Sequence, residues 1–287
     1  MANPILRQKL AARQFITAPG IQDMITAVIA NKVGFDIVYG SGYWTVASAH
    51  GLPDAGIASV TQMIDRMATL VRTSNAAVVA DADTGFGGLL NVHHTVQAYE
   101  QAGITAIQIE DQEFPKKCGH TPGKRVIPAA DMADKIRVAV EARRDENFVI
   151  IARTDARQSE GLEGVLHRMK LYAEAGADIL FPEALASDEE ARIVCQAVDK
   201  PMMANMADGG LTPIRDAATL QGLGYAMAIF PAMTSLAAAA AMEQALLNLK
   251  RTGTSLSPDV PLFDFKEFCS LIGFEQVWAF EKKWAKS

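Results

Sequence analysis

Short apolar runs alternate with longer segments whose apolar residues recur every three to four positions, and this alternation continues from Phe15 to Lys250. Unbroken short runs suit strands buried on both faces, and periodic longer segments suit helices covered on one face. The strand-like runs are Phe15–Ala18, Phe35–Tyr39, Ala77–Ala80, Ala106–Ile109, Phe148–Ala152, Ile179–Phe181, Met202–Ala204 and Ala226–Phe230. Helical spacing is predicted over Ile21–Val33, Val60–Arg72, a segment capped by Asn91 and running through Ala102, Met132–Ala142, Gly164–Ala175, Glu189–Val198, Ile214–Leu223 and Thr234–Lys250. Gly40 to Trp44 reads as a loop. Eight β-then-α units predict a (β/α)8 barrel over residues 1–252. An open doubly wound sheet is the alternative, but no Gly-x-Gly-x-x-Gly follows the first strand.

Residues 253–287 fall outside the alternation and predict helices over Phe265–Ile272 and Glu275–Trp284. Phe268, Phe274, Val277, Trp278 and Phe280 load this extension with apolar surface, to be covered by a second subunit or by its own barrel. Composition adds exclusions. A net charge of −6 and no basic run argue against nucleic acid or an anionic membrane as partner. Three widely spaced cysteines fit a reducing cytoplasm and no disulfide framework. The Ala-rich stretch Leu236–Leu247 is short and broken by Glu243, so no membrane span is expected. A cytoplasmic protein is the expectation.

In a barrel, catalytic groups come from the C-terminal ends of the strands. Here those ends carry Ser41 and Gly42, Asp81 and Asp83, Glu110, Arg153, Glu183 and Asn205. Single residues of this set have plain readings as caps or structural ion pairs, but polar groups at most strand ends form a ring that packing does not require. Asp81 and Asp83, two apart, are expected on one side of a strand and suit a hard divalent cation with water in the remaining positions. Asp54 and Glu110 could join that shell directly or through water. Arg153 is a natural bidentate clamp for a carboxylate, and the glycine-rich backbone around Ser41 offers a second anion cradle. After the fourth strand, Pro115-Lys116-Lys117-Cys118-Gly119-His120 places one thiol among cations, which predicts a lowered thiol pKa. A buried, inert cysteine is the bland alternative.

Gly51-Leu52-Pro53-Asp54, Asp81 to Gly87, Ile109-Glu110-Asp111-Gln112, Lys116 to His120, Ala152-Arg153-Thr154-Asp155 and Phe181-Pro182-Glu183-Ala184 together resemble the isocitrate lyase and phosphoenolpyruvate mutase superfamily, in order and over nearly the whole chain. The resemblance implies an α/β barrel, dependence on Mg2+ (with Mn2+ as the alternative), and a homotetramer whose C-terminal helices are exchanged between subunits. Lys116-Lys117-Cys118-Gly119-His120 resembles the gating loop of the carbon–carbon lyase branch, whose cysteine is the catalytic acid. Carried over by position, the resemblance implies that Asp81 and Asp83 hold the metal and that Ser41, Gly42 and Tyr43 hold a keto-acid carboxylate. It likewise implies that Arg153 binds substrate oxygens, that Cys118 and Gly119 sit over the reacting carbon, that His120 binds substrate, and that Glu183 and Asn205 complete the pocket. Tyr39 aligns with a tyrosine near the catalytic cysteine, and Glu110 joins the catalytic set.

The departures narrow the substrate. Methylisocitrate lyases resemble the chain closely but carry two arginines for a third carboxylate, at positions that fall near Leu236 and Phe268. An apolar residue does not offset the desolvation of a buried carboxylate. Tyr43 and Trp44 replace the smaller residues usual in that loop. The expectation is a lyase for a 2-hydroxy dicarboxylate with a short alkyl group, such as 2,3-dimethylmalate. The alternatives are 2-methylisocitrate cleavage, oxaloacetate hydrolysis or decarboxylation, a carboxyphosphoenolpyruvate-type phosphonomutase, and an inactive regulatory barrel.

Overall fold

The computed structural model describes residues 2–257 and 259–285. Eight parallel strands run β1 Ile16–Ile21, β2 Ile37–Gly40, β3 Ala77–Asp81, β4 Ala106–Glu110, β5 Val149–Thr154, β6 Ile179–Pro182, β7 Met203–Asn205 and β8 Met227–Phe230. Their order is β6-β5-β4-β3-β2-β1-β8-β7, and a parallel bridge between Leu180 and Met202 brings the two edges together. The alternation therefore closes into a (β/α)8 barrel, as the repeating units predict.

Strand parity decides which side chains enter the barrel. Ile37 and Tyr39, Ala77 and Val79, Val149 and Ile151, Ile179 and Phe181, and Met227 and Ile229 form an inner core. Their neighbours Val38, Val78, Ile150, Leu180 and Ala228 face outward into a second core shared with the helices. Both faces are buried, so the strands read as continuous apolar runs. At the N-terminal end, helix α1 (Ile5–Ala11) plugs the barrel, with fully buried Leu6 joining the inner core. This helix precedes the first strand and lies outside the eight repeating units.

Helix α3 (Gly42–His50) replaces the expected loop beyond β2, with Ser41 at its N-cap in extended conformation. Gly40-Ser41-Gly42 has turn composition, but the α3 side chains Thr45 and Val46 are buried, and tertiary packing outweighs propensity. The helix before β4, α5 (Leu89–Gln101), begins earlier than expected. Gly88 is its N-cap, and Asn91 accepts from the Gly88 N–H at 3.1 Å. After β8, α10 (Met233–Thr252) covers the barrel, and α11 (Phe265–Leu271) and α12 (Phe274–Trp284) follow as the sequence predicts. Helix α12 buries none of its residues, and Val277, Trp278, Phe280 and Trp284 remain exposed. None of the described helices is long and apolar enough to cross a membrane.

Candidate active site

The inward parity continues past the strand bodies. Tyr39 leads to Ser41, Val79 to Asp81, Ala106 through Gln108 to Glu110, Ile151 to Arg153, Phe181 to Glu183, and Met203 to Asn205. The same register that fills the barrel with apolar side chains thus raises a polar ring at its C-terminal mouth. Loops beyond the strands complete a cavity of about 310 Å3. Its lining includes Tyr39, Ser41, Tyr43, Asp54, Asp81, Cys118, Gly119, His120, Arg153, Glu183 and Asn205. Gly42, Asp83 and Glu110 lie directly beneath, touching lining residues without lining the cavity themselves.

Acidic groups dominate the floor. Asp81 Oδ1 accepts from the Asp83 N–H at 3.0 Å and from Gln108 Nε2 at 3.3 Å, while its Oδ2 accepts from the Gly42 N–H at 3.3 Å. β3 ends at Asp81, and Asp83 adopts a left-handed backbone with φ 47°. This turn, and not strand alternation as the spacing suggested, holds Asp83 beside Asp81. Lys116 Nζ bridges Asp54 Oδ1 at 2.6 Å and Asp83 Oδ1 at 2.9 Å, with all three side chains buried. Burial opposes the Lys116 charge, but Asp83, Glu110 and Asp54 outweigh it and hold the ammonium firmly protonated. Burial raises Asp83 to about 6 against the pull of Lys116. Tyr39 donates to Gln108 Oε1 at 2.9 Å, and burial together with Asp81 keeps its phenol neutral.

Glu110 is fully buried, and neither of its oxygens has a hydrogen-bond partner among the described residues. Arg153 Nε approaches to 3.5 Å. Burial pushes the Glu110 carboxyl well above its usual range, with Arg153 and Lys116 opposing. An orphaned buried carboxylate beside Asp81 and Asp83 calls for a partner the protein does not supply. Among the described residues, no three His, Cys, Asp or Glu side chains form a ready-made cage. An all-oxygen donor set of this kind, completed by water, fits a hard divalent cation.

Arg153 is held by Asp155, which accepts from Nε at 2.9 Å and Nη2 at 3.0 Å. Glu183 lies 3.4 Å from Nη2, and the guanidinium stacks over Phe181. This leaves the Nη1 edge for a substrate oxygen. Glu183 accepts from Asn205 Nδ2 at 2.9 Å. His120 Nδ1 accepts from the Leu211 N–H at 3.2 Å, which places the ring proton on Nε2, 3.3 Å from Asn205 Nδ2 and 3.7 Å from Glu183.

The thiol differs from its expectation. Lys116 is spent on Asp54 and Asp83, and Lys117 is exposed. Burial therefore raises the Cys118 pKa, against a backbone hydrogen bond at His120. The shift is opposite to the one expected from the neighbouring lysines and favours the thiol over the thiolate. Sequence reasoning also missed Lys124, Asp155 and the Asp208–Gly210 wall of the cavity. The i, i+2 spacing of Arg153 and Asp155 was the one signal available for the second of these.

A closed parallel barrel with a buried acid–base ring at its mouth, under a cysteine-bearing loop, defines an enzyme for a small oxygen-rich anion. The phosphoenolpyruvate phosphomutase family matches residues 6–250. A 2,3-dimethylmalate lyase of Eubacterium barkeri is 39% identical over 98% of this chain and 97% of its own length. A 2-methylisocitrate lyase of Halalkalibacterium halodurans is 42% identical over 98% and 93%. Among solved structures, an oxaloacetate acetylhydrolase with bound 3,3-difluorooxalacetate superposes with TM-score 0.91 at 31% identity, covering 97% of this chain and 95% of its own. A phosphonopyruvate hydrolase with oxalate and Mg2+ gives 0.89 at 28% identity, with both chains fully covered. The chain belongs to the phosphoenolpyruvate mutase/isocitrate lyase superfamily and is a carbon–carbon lyase within it.

Proposed function

We propose that the protein is a cytoplasmic, Mg2+-dependent lyase that cleaves the C2–C3 bond of a 2,3-dialkylmalate to pyruvate, or a related keto acid, and a monocarboxylate. One observation carries the substrate assignment. Leu236, on the first turn of α10, lines the cavity, as do Tyr43, Trp44, Ile229 and Pro231. Phe268 lies on α11 against Phe263 and is not among the lining residues. 2-Methylisocitrate and 2,3-dimethylmalate differ only at C3, which bears a carboxymethyl in the first and a methyl in the second. A methyl suits the apolar wall, whereas a carboxylate there would lose water without gaining a cation.

Asp81 and Asp83 would hold Mg2+, with Glu110 and Asp54 reaching it through water. When bound, the ion polarises the substrate 2-oxygen and carboxylate and favours loss of the hydroxyl proton. The first-turn N–H groups of α3 have no intrahelical partners, and the positive end of this helix suits the C1 carboxylate beside Ser41, Gly42 and Tyr43. Arg153 Nη1 binds substrate oxygen, oriented by Asp155. As the C2–C3 bond breaks, its electron pair stays with the C3 fragment. Cys118 Sγ–H then protonates C3, a role that its raised pKa supports. The glycine, histidine and asparagine around it (Gly119, His120, Asn205) and Glu183 keep bulk water from that carbon.

The same reading treats residues 1–252 as the catalytic barrel and 253–287 as an extension that packs on a neighbouring subunit of a homotetramer. Its support is the exposed apolar face of α12. The test of function is pyruvate release from 2,3-dimethylmalate with Mg2+, followed by a coupled dehydrogenase. Pyruvate with propionate in equal amounts is expected. Oxalate from oxaloacetate in place of pyruvate from the dialkylmalate would overturn the assignment.

A further inference from the structure

Three buried carboxylates, Glu110, Asp155 and Glu183, gather around the single guanidinium of Arg153. The second positive charge in this cluster comes from the cysteine loop itself. Lys124 Nζ lies 3.1 Å from Asp155 Oδ1 and also donates to the Gly119 carbonyl, and its side chain is 2% exposed. One ammonium thus ties the backbone beside Cys118 to the carboxylate that orients Arg153. The loop's other ties lie to either side. Gln112 holds the Lys117 backbone through both its amide atoms, and His120 is held by the Leu211 N–H.

We propose that Lys124 is a positioning residue, an electrostatic latch that holds the Cys118 loop shut by bridging the Gly119 carbonyl and Asp155. Lys124 lies within the loop, six residues after Cys118, so its charge reaches the Arg153 cluster only as the loop seats. With the loop away, Asp155 shares Arg153 with Glu110 and Glu183; with it seated, Lys124 adds a cation against Asp155. Burying an ammonium is favourable only where it is paired and hydrogen-bonded, and its carboxylate partner, Asp155, lies outside the loop and is met in the closed arrangement. An anionic substrate on Arg153 adds negative charge beside the latch and strengthens it. Loop closure and substrate binding are thereby coupled through one lysine that touches neither the reacting carbon nor the metal-binding carboxylates. The catalytic value of this latch rests on the proposed role of Cys118, but its existence does not.

The test is amide hydrogen exchange across residues 116–122 without substrate, in wild type, Lys124→Met and Lys124→Arg. Methionine keeps the length of the stem and removes the charge and the donors. Loss of a charge-assisted hydrogen bond predicts roughly tenfold or greater acceleration of loop exchange in Lys124→Met. The β4 and β5 amides should be unchanged, and Lys124→Arg should restore protection at least in part. Unchanged loop exchange in Lys124→Met would overturn the latch whatever happens to turnover. Acceleration throughout the barrel would also overturn it, by showing a general structural role. Because no substrate is present, the outcome is independent of which acid the enzyme cleaves.

Discussion

Gly119→Ala isolates the seating of the cysteine loop. A Cβ on Gly119 would lie 2.1 Å from Arg153 Nη2, 3.0 Å from Glu183 Cγ and 3.1 Å from Asp155 Oδ1. The guanidinium resists retreat, since it is bonded twice to Asp155 and lies over Phe181. The loop backbone must lift instead. Overpacking of this kind costs about 1–3 kcal/mol, and tenfold in rate corresponds to about 1.4 kcal/mol. The closed population, and kcat/KM with it, should fall roughly tenfold to a hundredfold. A shift of order 1 Å at Cys118 adds a further loss in kcat through misplacement of the acid. Steady-state kinetics on the dialkylmalate, with circular dichroism to establish folding, measures this. A folded Gly119→Ala enzyme with wild-type kcat/KM would refute the close approach and the account of closure built on it.

Three further outcomes follow from the geometry. Cys118→Ser should lower kcat by roughly a hundredfold or more, the scale of an acid–base contribution, while Mg2+ affinity by calorimetry stays unchanged; near-normal turnover would remove Cys118 from the chemistry. Burial pushes Asp155 up, but Arg153 and Lys124 outweigh it and hold it at about 2. A folded pKa below the unfolded value of about 3.9 contributes stability above about pH 4 that is lost as pH falls towards 2, about 2 kcal/mol in all. The unfolding free-energy gap between wild type and Asp155→Asn should shrink across that window, and a pH-independent gap would contradict the pairing. Leu236→Arg should lower kcat/KM for the dialkylmalate and raise it for 2-methylisocitrate, read in the same coupled assay.

The barrel was legible because its strands are buried on both faces, which makes each one a continuous apolar run. The ring was legible for a related reason: Ser41, Asp81, Glu110, Arg153, Glu183 and Asn205 continue the inward parity of their strands. What sequence hid was pairing in space. Lys116 beside Cys118 suggested a thiolate, yet its ammonium is committed to Asp54 and Asp83, and burial then decides the thiol. Lys124 carries no local mark of its role, since its charged partner Asp155 lies 31 residues further on and meets it across the barrel mouth. Helix α3 was hidden by the turn composition of Gly40-Ser41-Gly42, which packing overrides.

On the proposed function, the cavity residues Leu236, Tyr43 and Trp44 select an alkyl group over a carboxylate at C3. This selection is tested most directly by the ratio of kcat/KM for 2,3-dimethylmalate to that for 2-methylisocitrate, measured side by side with saturating Mg2+. A buried, uncompensated carboxylate costs several kcal/mol, so the ratio should favour dimethylmalate by roughly a hundredfold or more. A ratio at or below unity would rule out this selection and place a cation against the third carboxylate.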